Sequence, residues 1–252
     1  MKIALCLNGQ PRNWEAGFNS LNKQLISKYD VDIFGHVWWD KSEIGKIYKS
    51  CQQDNHKDYI VEDDILEKLT EKYKFKQIHA ESDPGFKNEN IANIDAYSAE
   101  LFPRLKSKYF SVKQSLNYAE THEKETRIEY DWVVLTRFDI NLMVFPDTME
   151  DYSKDSIYVD ALHSAKYVFN DNLWIFGKNR KSTFKNIFDE FDKTYNLLQN
   201  LKQTPQASHI INTGLSAAKI TCGEHASAFY LLFNNFIDDV KKLPELSYNI
   251  CR

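Results

Sequence analysis

Ile3-Ala4-Leu5-Cys6-Leu7 followed at once by Asn8-Gly9-Gln10-Pro11-Arg12-Asn13 is a short unbroken apolar run that stops on turn-forming residues. A run of this length bounded by Gly and Pro matches a strand buried on both faces. A secretory leader needs a longer apolar core and a small-residue cleavage site. Trp14, Phe18, Leu21 and Leu25 then recur at helical spacing up to Tyr29, and Val31 to Trp38 reads as a second buried strand. Strand, helix and strand in that order predict a parallel sheet covered on both faces, because a parallel pair needs a crossover. Ligands of such sheets bind beyond the carboxyl ends of the strands.

Asp40 to about Tyr59 is polar and without a period, which predicts an excursion over the sheet edge. Asp63 to Tyr73 places Ile65, Leu66, Leu69 and Tyr73 on one helical face, followed by a strand near Phe75 to His79 and a polar loop at Asp83-Pro84-Gly85. A long helix is predicted from Tyr97 to about Glu125, interrupted near Pro103, with a buried stripe of Leu105, Tyr109, Val112, Leu116 and Ala119. Tyr130 to Ile140 is the sharpest strand signal, since Trp132-Val133-Val134-Leu135 runs directly into Thr136-Arg137-Phe138-Asp139. Ser156 to Val159 and Leu173 to Phe176 read as further strands, and Ser182 to Leu201 and Gln206 to Lys219 as helices. With neither a repeat nor a linker, 252 residues fit one α/β domain built on a mostly parallel central sheet flanked by helices.

Composition narrows the function. The 32 basic and 36 acidic residues are interspersed and sum to a net charge of -4, so no basic face points to nucleic acid or anionic lipid. Cys6, Cys51, Cys222 and Cys251 form no CxxC pair, which argues against a zinc or redox motif and for a reduced, cytoplasmic setting. No stretch approaches the roughly 18 apolar residues of a membrane span. A soluble protein is expected.

Three places carry candidate chemistry. In the loop after the first strand, Asn8, Gly9, Gln10 and Arg12 offer backbone amides, a helix start and a guanidinium to a diphosphate or nucleobase. An ordinary strand-to-helix turn capped by Asn13 explains the same residues. Neither a Walker loop nor the Rossmann glycine fingerprint is present. At the end of the central strand, Arg137 and Asp139 share a face, either as a ligand site or as a salt bridge. His36, Trp38 and Asp40 alternate along one face of the second strand, able to stack a ring and bond a hydroxyl, or simply to pack the core.

Three segments in order carry a resemblance: Ala4-Leu5-Cys6-Leu7-Asn8-Gly9-Gln10-Pro11-Arg12, Asp32-Ile33-Phe34-Gly35-His36-Val37-Trp38-Trp39-Asp40, and Tyr130-Asp131-Trp132-Val133-Val134-Leu135-Thr136-Arg137-Phe138-Asp139. Together they resemble a group of glycosyltransferases from bacteria and large viruses with "SGQPR", "DVFIHTW" and "RFD" motifs. The likeness extends weakly through Asn170 to Gly177. It implies a GT-A-like nucleotide-diphospho-sugar transferase fold, with a nucleotide-binding part of about 1–140 and an acceptor-side part of about 141–252. A nucleoside diphosphate sugar would be the donor, and a glycan or lipid-linked molecule of surface polysaccharide or glycoprotein the acceptor.

The resemblance assigns Asn8, Gly9, Gln10, Arg12, His36, Trp38, Arg137, Asp139 and Asn172 to the nucleotide-sugar site. It implies Mn2+ or Mg2+ on Asp139, which matches the second Asp of the Asp-x-Asp pattern of such enzymes. Arg137 stands where the first Asp would be, so a metal-independent variant in which Arg137 and Arg12 bind the diphosphate is equally open. For inverting chemistry Asp171 is the first candidate for the base that takes the acceptor proton, and Glu224 the second. Glu224 and His225 also suit a helix start, His163 suits a solvated loop or the diphosphate, and Tyr109, Ser111 and Gln114 could face the donor from the long helix, Tyr109 better as core. A catalytically silent nucleotide- or carbohydrate-binding module of the same fold is the alternative.

Overall fold

The computed structural model describes residues 1–48, 59–86, 96–160, 171–194, 230–231, 234 and 236–250, with the backbone alone described at 96–101 and 237. In chain order the strands and helices are β1 (Lys2–Gly9), α1 (Trp14–Leu21), β2 (Asp30–Trp38), β3 (Ile47–Tyr48), β4 (Tyr59–Ile60), α2 (Ile65–Tyr73), β5 (Gln77–Glu81), α3 (Ala96–Thr126), β6 (Trp132–Arg137), β7 (Ile140–Val144), β8 (Ile157–Val159), β9 (Leu173–Gly177), α4 (Lys181–Asp189), β10 (Val240–Lys242) and β11 (Ser247–Ile250). Seven strands form the central sheet in the order β10-β8-β9-β6-β1-β2-β5. β1 runs parallel to β2 and β6, β2 to β5, and β8 to β10, while β9 is antiparallel to both its neighbours. The mostly parallel sheet flanked by helices is therefore as the sequence predicts.

The two faces follow from the period of two. Ala4, Cys6, Phe34, Val133 and Leu135 point to one side, where α3 and α4 cover them with Leu105, Tyr109, Val112, Leu116, Phe184 and Ile187. Ile3, Leu5, Leu7, Ile33, Val37, Trp132 and Val134 point to the other, against Trp14 and Leu21 of α1 and Ile65, Leu69 and Tyr73 of α2. Every predicted stripe residue of α3 is buried.

Several expectations need correction. α3 is one continuous helix with Pro103 inside it, because the apolar stripe packed on β1 and β2 outweighs the one backbone hydrogen bond that proline removes. The first helix ends as a single π-helical turn over Asn22–Ile26. The central strand divides at Phe138-Asp139 into β6 and β7, and β7 leaves the main sheet to pair antiparallel with β11. The excursion after β2 contains a short helical turn at Lys41–Glu43 and the β3–β4 ribbon. Of the four cysteines, Cys6 is buried and free, and the others lie outside the described residues, as does the helix expected at Gln206 to Lys219. Among the described residues no helix is long and apolar enough to cross a membrane.

α1 lies unusually close to the point where β6 ends. A methyl group on Gly17 would sit 1.9 Å from the Phe138 carbonyl oxygen and 3.3 Å from that of Ile140. The absence of a side chain at Gly17 thus lets α1, and with it the preceding loop that carries Arg12, come close to the end of β6. Gly17→Ala must move backbone against backbone, which costs more than ordinary overpacking of about 1–3 kcal/mol. A melting temperature lower by about 5 °C or more, read by circular dichroism, is the expected outcome.

Candidate functional site

The carboxyl ends of β1, β2 and β6 open together into a cleft of about 530 Å³. Asn8, Gly9, Gln10 and Arg12 form its floor, Trp38 and Arg137 come from the two neighbouring strand ends, and Arg104, Ser107 and Lys108 come from α3, with Asp83 beside them. Among the described residues four lining cations, Arg12, Arg104, Lys108 and Arg137, face three carboxylates, Asp83 in the lining and Asp139 and Asp171 just behind it, a balance that stays positive and suits an anionic ligand.

At its base sits Asp139, 2 % exposed. Arg137 donates to it through Nε (2.7 Å) and Nη2 (2.6 Å), a two-pronged pair, and Arg12 Nη2 lies 3.3 Å from the same carboxylate. Burial works against the charge on Arg137, but Asp139, with Asp171 beyond it, more than offsets this and raises the guanidinium pKa above its ordinary value. Arg137 Nη1 also reaches Asn172 Oδ1 at 3.4 Å. A guanidinium has five N–H groups, and Asp139 takes two, so donors remain for a ligand.

Asn8 is buried and donates from Nδ2 to the Thr136 carbonyl at 2.8 Å, tying β1 to β6 where both enter the cleft. Gly9 adopts φ +99°, a conformation open to glycine, and turns the chain out of the sheet. Asn13 occupies the cap position of α1 in the left-handed region without a side-chain cap bond, so the ordinary capped-turn reading does not describe this loop. Asn172 is held by its own carbonyl, which accepts from Thr136 Oγ1 at 2.8 Å. Asp171 is buried, and its carboxylate is ion-paired with Lys108, whose ammonium also donates to the Asp171 carbonyl at 3.0 Å.

His36 does not line the cleft. It is 0 % exposed and bonded to Ser111 and Glu81, whereas Trp38, two residues on, reaches the cleft and stacks on Phe110 at 5.5 Å between ring centres. Asp40 turns away to cap the Lys41–Glu43 turn through Ser42. Tyr109 is core, as its period predicts. Glu224, His225 and His163 lie outside the described residues.

Among the described residues the groups around Asp139 do not make up a donor set for a divalent cation. Both oxygens are engaged by Arg137, the adjacent groups are cationic, and among the described residues no cluster of three His, Cys, Asp or Glu could hold a metal. Sequence reading missed Arg104, Ser107 and Lys108, although their spacing with Ser111 at i, i+3, i+4 and i+7 marks a polar face on a helix whose next face is core.

No protein-family model matches the chain, and no curated protein matches it. Among solved structures it is similar to the galactosyltransferase LgtC in complex with donor and acceptor sugar analogs, at 11% identity and TM-score 0.39 over 96% of this chain and 73% of that one. It is also similar to a nucleoside-diphosphate-sugar pyrophosphorylase from Vibrio cholerae, at 10% identity and TM-score 0.36 over 99% and 95% of the two chains. At such scores these likenesses assign the chain no activity.

Removing Arg137 would leave a buried carboxylate with Arg12 alone to balance it. Arg137→Ala is expected to cost about 3 kcal/mol, a fall of about 6 to 12 °C in Tm, measurable by calorimetry. Arg137→Lys should recover only part, since an ammonium cannot reproduce the two-pronged contact.

Proposed function

We propose that the chain is a cytoplasmic glycosyltransferase of the GT-A kind, which moves a sugar from a nucleoside diphosphate sugar to a glycan or lipid-linked acceptor in surface polysaccharide or glycoprotein synthesis. The observation that carries this reading is the cationic cleft at the carboxyl ends of β1, β2 and β6, with Arg12 and Arg137 converging on one buried carboxylate. In the direct displacement proposed here the acceptor oxygen bonds to the anomeric carbon as the bond from that carbon to the diphosphate oxygen breaks. Negative charge then builds on the leaving diphosphate, and fixed guanidiniums stabilise it without having to reorganise. Side-chain cations do here what a divalent ion does in metal-dependent transferases.

Asp171 is the described candidate for the base. Lys108 holds it and also lines the cleft, so a diphosphate that draws Lys108 toward itself frees the Asp171 carboxylate to accept the acceptor proton. The same ion pair favours the second reading, a module that binds the nucleotide without turnover.

A panel of nucleotide sugars, each with and without EDTA, separates these. At a hundredfold excess over Kd a true ligand stabilises by about 2.7 kcal/mol, about 5 to 10 °C in Tm. The shift is expected with one donor class, to survive EDTA and to vanish in Arg12→Ala, with sugar transferred once acceptors are added. No shift with any nucleotide sugar contradicts the function, and a shift without transfer to any acceptor supports the binding module.

A further inference from the structure

A chain of hydrogen bonds, buried at its centre and part-buried at both ends, runs from the sheet edge to the ligand loop. Glu81 Oε1 lies 2.8 Å from His36 Nε2, His36 Nδ1 lies 2.8 Å from Ser111 Oγ, and Ser111 Oγ accepts from the Gly9 N–H at 2.9 Å. Its direction follows from donors and acceptors. A carboxylate only accepts, so Nε2 carries the imidazole hydrogen, which leaves Nδ1 of the neutral ring to accept from the Ser111 hydroxyl. The Ser111 oxygen is then oriented to receive Gly9 N–H. Both His36 and Ser111 are fully buried.

We propose that Glu81, His36 and Ser111 form a relay that positions the Gly9–Arg12 loop, making His36 a positioning residue for the cleft instead of a ligand contact. The loop needs such a hold. Gly9 takes its left-handed φ at the end of β1, beside Val37 of β2, with no neighbouring atom within 4 Å of where a side chain would be, so no side-chain packing locks the turn that follows. The bond to Ser111 fixes the backbone three residues before Arg12.

The relay responds to pH. The groups facing His36 are Glu81 and His79 from β5, Trp38 from its own strand, and Ser111 and Phe110 from α3. Burial lowers the imidazole pKa below its ordinary 6.5, and His79 adds to this, while Glu81 pulls the other way. Neutral His36 is therefore the working form at pH 7, and protonation comes only below 6.5. A proton on Nδ1 would turn that nitrogen into a donor toward Ser111 Oγ. The hydroxyl hydrogen would be left only the His36 carbonyl at 3.4 Å, and Gly9 would share its acceptor.

Amide exchange of the 9–13 loop, corrected for the intrinsic pH dependence, tests the relay in the free protein. The parent should exchange slowly at pH 7.5 and about tenfold faster once His36 is protonated, while β6 amides stay unchanged. Ser111→Ala should exchange fast at every pH. His36→Asn, whose amide oxygen can stand where Nδ1 does, should stay slow and lose the acid step. Parental exchange in Ser111→Ala overturns the proposal, as does an acid step or fast exchange in His36→Asn. The consequence for the donor rests on the function proposed above. Affinity for a nucleotide sugar, whose diester phosphates keep constant charge in this range, should fall with the same acid step. If the parent binds no nucleotide sugar, that function falls and the exchange profile judges the relay alone.

Discussion

A carboxylate buried where a central strand ends needs counter-charge, and Asp139 finds it in guanidiniums from two different strand ends. Arg137 is two residues away on the same chain segment, whereas Arg12 arrives from the loop after β1. One acid therefore sets the separation of two cations that would otherwise repel. The cost of burying a charge at this point is met only when both arginines are in place. That requirement ties the shape of the cleft floor to the stability of the fold.

The surrounding structure serves this arrangement. Gly17 lets α1 press on the Phe138 carbonyl, which brings the start of the helix and Arg12 down to the end of β6. Asn8 bonds β1 to β6 one residue before the chain leaves the sheet. Ser111 holds Gly9 from the opposite side, from a helix whose next turn toward the amino end supplies Ser107 and Lys108 to the cleft wall. At the far end of the sheet a second buried acid, Asp32, is balanced in the same manner by Lys2, Lys76 and the Tyr130 hydroxyl.

Much of the scaffold was legible because buried parallel strands are written as unbroken apolar runs. β1, β2, β6 and β9 lie where those runs lie, and the α3 stripe was read residue by residue. β10 and β11 escaped because they are short and half-exposed, so neither period nor apolarity marks them, while β7, apolar at Ile140, Leu142, Met143 and Val144, follows β6 too closely to read as a separate strand. Pro103 misled because local cost was weighed without the packing that overrides it. At the site, Arg12, Arg137 and Asp139 were legible from their position at strand ends; the pairing of Arg137 with Asp139 was one of two open readings, and the approach of Arg12 to the same carboxylate was not read. His36 and Trp38 alternate identically in sequence, and only the third dimension separates them: Ser111 and Glu81 close over the first, and the cleft reaches the second.

In the proposed reaction, side-chain cations oriented by Asp139 receive the diphosphate. A crystal structure with a bound nucleotide sugar, grown in the presence of EDTA, tests this most directly. Phosphate oxygens are expected within hydrogen-bond reach of both Arg12 and Arg137, with the two-pronged Arg137–Asp139 contact retained. A nucleotide bound away from these two arginines, or one that binds only when a divalent ion occupies Asp139 and displaces Arg137, would contradict it.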